Sequence, residues 1–178
     1  MRGWSVRLAI LGAAAMIPAC GGGPQESASS SQALKPVDPD IETFPDEGAG
    51  VHVPVGTNIV YPTDPPTCGP HYKEFVAEGG FYASEIPAPY LVHSLEHGGI
   101  VIYYSPAVTQ EQRDHLKSLT DQHPGRYSQI VAVPRDDATY PIILTAWTHR
   151  LRLLQYDAAR IDAFIALYLG QGPEKEPM

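Results

Sequence analysis

Cysteine is scarce in this chain, which holds only Cys20 and Cys68 among 178 residues. A scaffold stapled by several disulfides is therefore excluded. Basic residues are also few, 12 against 20 acidic ones, for a formal net charge of −8. Arg2 and Arg7 stand in an N-terminal segment without acidic residues, so the remainder is more acidic still. Such a balance argues against nucleic acid or an anionic membrane face as a partner and is compatible with attraction of cations. Long apolar runs are missing too. The stretch from Leu8 to Ile17 is too short to span a bilayer as a permanent helix, and no internal repeat is apparent.

What is present at the N-terminus reads as an export signal. Arg2 and Arg7 precede the apolar stretch, which ends in Ile17-Pro18-Ala19-Cys20. A small residue before a cysteine at this distance resembles the lipobox of bacterial lipoproteins. The expectation is a signal peptide over residues 1–19, lipidation of Cys20, and a domain held at the bacterial cell envelope, periplasmic or outer-surface, by its acyl chains. Residues 20–50 are rich in Gly, Pro, Ser, Asp and Glu and are expected to form a flexible tether. One globular domain is expected over 51–172, followed by a tail over 173–178.

Within that domain the first half is loop-rich. Val51 to Val55 alternates weakly and suits a short edge strand, because Pro54 cannot donate to a central ladder. Prolines 62, 65, 66, 70, 87 and 89, with Gly69, Gly79 and Gly80, break up the next segment. Ile100 to Tyr104 reads as a buried strand, and Thr109 as the cap of a helix over Gln110 to Gln122. Further strands are expected at Ile130–Val133, Ile142–Trp147 and Leu151–Leu154. Asp157 then caps a helix in which Ile161, Phe164, Ile165 and Tyr168 recur at helical spacing, ended by Gly170. The order implies an α/β (α+β) two-layer sandwich, with helices packed on a small mixed β-sheet. A thioredoxin-like fold is the alternative.

The chemistry concentrates in Leu91-Val92-His93-Ser94-Leu95-Glu96-His97-Gly98-Gly99. If this is a helix ended by Gly98, about 100° per residue puts Leu91 and Leu95 on one side and His93 and His97 on the other. Two imidazoles one turn apart, with a carboxylate between them, are spaced to share a metal ion. A further candidate ligand is His71, in the kinked turn Thr67-Cys68-Gly69-Pro70-His71. Cys68 is a possible ligand three residues before it. Thiolate and imidazole together favour copper or zinc over magnesium or calcium. His115 and His123 are expected to be solvated and His52 to sit near the tether, while His149 is the remaining histidine worth placing. Tyr72, Tyr82, Tyr90, Tyr103 and Tyr104 are candidates to line a pocket, although core packing is the commoner use of such residues.

The His71 turn and the His93 to Gly98 segment resemble those of domain of unknown function 3105, an uncharacterised family of exported bacterial proteins. Its pattern has a Ser-Gly-Pro-His turn and a His-Asn-Leu-Glu-His-Gly segment, and the resemblance continues through Ile100 to Tyr104 and Leu144 to Trp147 to Gly172-Pro173-Glu174. This chain departs by having Cys68 in place of serine and Ser94 in place of asparagine. The resemblance implies an exported domain with His71, His93, Glu96 and His97 at its site, and it supplies no reaction.

Three mechanisms follow. In the first, the histidines hold copper or zinc without catalysis, for storage, delivery or sensing near an envelope protein partner. In the second, His93-x-x-Glu96-His97 acts as an inverted zinc-protease motif, with Glu96 as catalytic general base. In the third, Cys68-Gly69-Pro70-His71 resembles the active turn of thioredoxins, but without a second thiol it cannot exchange an internal disulfide.

Overall fold

The computed structural model describes residues 37–74, 79–125 and 127–174. The expected signal peptide, Cys20, the first part of the tether and the end of the tail lie outside the described residues. No helix among the described residues is long and apolar enough to cross a membrane.

Among the described residues, eight strands and three helices follow one another as β1 (Glu42–Thr43), β2 (His52–Val53), β3 (His71–Tyr72), β4 (Gly80–Phe81), α1 (Ala88–Glu96), β5 (Ile100–Tyr104), α2 (Gln110–Gln122), β6 (Ile130–Pro134), β7 (Ile142–Ala146), β8 (His149–Leu153) and α3 (Ala158–Tyr168). Six strands form one mixed sheet in the order β1-β8-β7-β5-β6-β4, and β2 pairs with β3 in a separate parallel ribbon. β5 and β6 run parallel because α2 carries the chain back between them. β7 and β8 form an antiparallel hairpin, turned at Thr148 with a positive φ of 62°. The mixed α+β architecture expected from the sequence is the one observed.

Alternation along β5 divides the core. Ile100, Ile102 and Tyr104 face one side, where Leu116 of α2 and Ile161, Phe164 and Ile165 of α3 close over them. Val101 and Tyr103 face the other side, against Leu91, Val92 and Leu95 of α1, with Val131, Ile143 and Trp147. Both helices on the first side start where the sequence specifies. The Thr109 side chain accepts from the Gln112 backbone while the Gln112 side chain accepts from Thr109 N–H, a complete capping box. Asp157 accepts from Arg160 N–H at the start of α3. Tyr103 and Tyr104 are thereby core residues, Tyr104 donating to the Tyr82 carbonyl and Tyr103 also bordering a cleft with Leu91, Val133 and Arg135.

The boundary expected at Val51 is corrected. Thr43 and Glu42 pair with His149 and Arg150 as an antiparallel edge strand. Arg150 Nε and Arg152 Nε reach Glu42 at 2.9 and 3.1 Å, and Arg160 Nε reaches Asp38 at 2.6 Å. The Arg160 hydrogen bond holds the Asp38 carboxyl below its ordinary range. Acidic residues that look like tether composition are thus the partners of arginines more than a hundred residues later. The short end of the expected tail is also packed, since Glu174 N–H donates to the Glu96 carbonyl.

Nothing in this architecture supports the thioredoxin-like alternative. Cys68 leads through Pro70 into strand β3 rather than into a helix.

Candidate metal centre

α1 (Ala88–Glu96) follows its N-cap Pro87, with His97 as its C-cap and Gly98 at φ 81°. Gly98 is required there because the left-handed conformation penalises a side chain, and because an added Cβ would come within 2.8 Å of Gly170 Cα. As the spacing predicts, Leu91 and Leu95 seat in the apolar layer against the sheet. His93 projects from the helix toward the N-terminal ribbon, and its Nε2 lies 3.2 Å from that of His97.

The ribbon supplies the rest. His52 of β2 and His71 of β3 are register partners in a parallel pair, which puts both side chains on the same side. Their ring centroids are 4.8 Å apart, and each ring lies 4.8–5.0 Å from that of His93. One potential ligand atom each from His52, His71, His93 and Glu96 falls within 4.8 Å of all the others. Glu96, His97 and Glu174 form an adjoining group by the same measure. His71, His93 and Glu96 are fully buried, and the His52 side chain keeps 29% exposure. A cleft lined by Gly50, His52, Glu96 and Glu174 opens the cluster to solvent.

The orientation of His71 defines the chemistry. Its Nδ1 lies 2.8 Å from the Gly69 carbonyl, which can only accept, so Nδ1 carries a proton and it is Nε2, through its lone pair, that can ligate. Glu96 Oε2 faces that lone pair at 2.9 Å. Both atoms are buried, and His52 Nε2 stands 3.8 Å from the same carboxylate oxygen. Two lone pairs at this separation repel unless a cation, either a proton on the ring or a metal ion, sits with them. The other Glu96 oxygen, Oε1, accepts from Gly50 N–H.

The titration of these groups follows the same arrangement. Burial, reinforced by the neighbouring imidazoles of His71, His97 and His52, pushes His93 down to about 4. Burial also lowers His97, against the opposing pull of Glu174 and Glu96. For Glu96, burial alone would raise the carboxyl, but His71, the Gly50 N–H and His52 together hold it below the ordinary carboxylate range. His93 and His97 are thus biased toward the neutral imidazole and Glu96 toward the carboxylate, which are the forms that ligate metal.

Of the residues expected at the site, His71, His93 and Glu96 come together in one group. His97 stands in the adjoining group rather than completing a trio with His71 and His93. Glu96 is placed as a donor facing His71, with its second oxygen occupied by Gly50, not as a base aimed at an open position. Cys68 belongs to neither group. Its Sγ–H donates to the Pro45 carbonyl at 3.4 Å, and the residue packs in the apolar layer, which a thiol fills as a small hydrophobe. His149 is engaged by the Trp147 carbonyl and stacks on Tyr168. His115 is partly exposed beside Tyr156 and Asp162. Tyr72 and Tyr90 pack edge to face beside the ribbon.

His52 and Glu174 are the donors that sequence reasoning passed over. The alternation around His52 marks a strand, but the two-residue partner that turns it toward His71 has no pattern of its own.

The sequence profile of one family, described as "Protein of unknown function (DUF3105)", matches residues 52–178. No curated protein and no solved structure matches the chain significantly.

Proposed function

The chain belongs to the DUF3105 family, whose description assigns no reaction, and on the geometry of its donor cluster we propose that it is a transition-metal-binding domain of the bacterial envelope, holding zinc or copper without catalysis. His52, His71, His93 and Glu96 are the ligands, and lipidated Cys20 tethers the domain near an envelope protein that gives or receives the ion.

The observation that carries this reading is the buried approach of His71 Nε2 to Glu96 Oε2, with the His71 tautomer fixed by Gly69. A carbonyl behind a ligating imidazole is the usual outer partner of a metal-binding histidine, because it orients the ring and raises its basicity. Three imidazoles and one carboxylate form a borderline donor set that suits zinc or copper(II) and disfavours magnesium and calcium, which prefer oxygen. With Cys68 in the apolar layer, no thiolate shifts that preference toward copper(I). The export signal and the acidic composition support an envelope location. The non-catalytic assignment rests on Glu96, whose two oxygens are both directed at protein groups of the site.

Metal analysis of the full chain, purified without an affinity tag, tests the reading. The expected result is bound zinc or copper at stoichiometric level. His71→Ala should weaken binding by more than the roughly 10–100-fold that loss of an outer partner costs. A chain that takes up neither metal when both are supplied refutes the proposal.

A further inference from the structure

Glu96 belongs to two donor groups at once. The first is completed by His52, His71 and His93, and the second by His97 and Glu174. We propose that the centre is binuclear: a second divalent cation is held by His97 and Glu174, with the Glu96 carboxylate bridging it to the ion of the histidine group. The inference rests on the metal-binding reading above and adds a second ion to it.

Three observations converge on that position. The buried Glu96 Oε2 atom faces His71 Nε2 at 2.9 Å and His52 Nε2 at 3.8 Å, while the same carboxylate is close enough to His97 and Glu174 to be counted in their group as well. The His97 Nε2 atom is buried at 3.9 Å from Glu174 Oε2 and 3.2 Å from His93 Nε2. Adjacent turns of one helix thereby present one imidazole to each group.

Glu174 is also held in place by backbone, although it follows the last helix. Its N–H donates to the Glu96 carbonyl at 3.1 Å. Two residues before it, Gly172 lies so close to the end of α1 that an added Cβ would collide with the Glu96 carbonyl and the Gly98 nitrogen. The contact fixes a carboxylate over the C-terminus of α1, where the negative end of the helix dipole adds to the attraction for a cation.

The two positions differ in character. The histidine group has three nitrogens and one shared oxygen, and its imidazoles are mostly buried. The second group has one nitrogen and two oxygens, and the Glu174 side chain is 35% exposed. It also borders the cleft that Gly50, His52, Glu96 and Glu174 line. Three protein donors leave coordination positions for water on that side, as in open zinc sites. The second ion is therefore the weaker and the exchangeable one, and the cleft is its route to and from a partner.

The test is calorimetric titration of the demetallated full chain with zinc, for the wild type and for Glu174→Gln. Wild type should bind two equivalents, the second more weakly. Glu174→Gln should bind one, with the tighter step unchanged. Cobalt(II) loaded to two equivalents should give a magnetically coupled pair in the wild type and an isolated ion in the variant, which reports the bridge independently of affinity. One equivalent in the wild type overturns the second site and leaves the mononuclear reading standing. Two equivalents retained in Glu174→Gln overturn it as well. Failure to bind zinc or copper at all sinks the metal-binding reading itself.

Discussion

The sheet face under α2 and α3 is closed by aliphatic and aromatic side chains, whereas the face under α1 changes within a single helix from leucine to histidine and glutamate. On the first face Ile102, Leu144, Leu151 and Phe164 are buried with no ionisable partner among them, and the hydrophobic effect suffices to hold them. On the second, Leu91, Val92 and Leu95 do the same work toward the sheet, but His71, His93 and Glu96 are buried just as deeply behind them. Burying such groups costs free energy unless charge and hydrogen bonding compensate. The contrast teaches that one layer is held by apolar packing alone, while the other buries ionisable groups whose cost a bound cation would offset.

The largest expected effect breaks the first layer. Phe164→Ala should destabilise the domain by about 3–5 kcal/mol, through lost transfer energy and the cavity left beside Ile161 and Leu144. Denaturant unfolding with and without zinc should give the same loss. A loss that zinc reversed would mean that the two layers are not separable in this way.

Acid should act on the second layer. His93 titrates near 4 in the folded chain and near its ordinary 6.5 when unfolded. A lowered imidazole stabilises the fold above the unfolded value and loses that contribution as pH falls from about 6.5 to 4. For the metal-free chain the loss amounts to about 3 kcal/mol. The depressed Glu96 carboxyl adds a loss of the same sign below the ordinary carboxylate range. Unfolding free energy measured against pH should therefore slope downward toward acid, and His93→Gln should flatten the upper part of that slope. An unchanged slope in the variant would assign the acid sensitivity elsewhere.

Smaller still is the cap of α2. Thr109→Ala removes one half of the capping box and should cost about 1 kcal/mol. Since α2 lies on the apolar side, zinc or copper affinity should stay within experimental error. A change in affinity would show that the layers communicate through β5.

Legibility in the sequence follows the same division. β5, α2, β6, β7 and α3 are each specified by their own residues: a β-branched run, a capping pair, or apolar positions at helical spacing. Their observed ends fall within a residue or two of the expected ones. The two-residue strands are different. Glu42–Thr43, His71–Tyr72 and Gly80–Phe81 have no periodicity to read, and they exist because a partner strand lies beside them. His93 and Glu96 were visible as members of one local segment, and His71 through its kinked turn. His52 was not, because its role depends on pairing with His71, and Glu174 was not, because it depends on the strap across α1. Cys68 was misplaced for a related reason: a thiol three residues from a histidine has the spacing of a ligand pair, but the turn directs it into the apolar layer.

The donors at the centre come from four separate stretches of chain, with His52 near the start of the described residues and Glu174 at their end. An ion shared among them would fasten the beginning of the domain to its finish, and a loop closed over nearly the whole domain restricts the unfolded chain more than a short one. During synthesis the ribbon would hold only His52 and His71 until α1 emerged, and the second group could not form until Glu174 had emerged. Copies cut short before Glu174 should then carry less metal even where their sheet is intact.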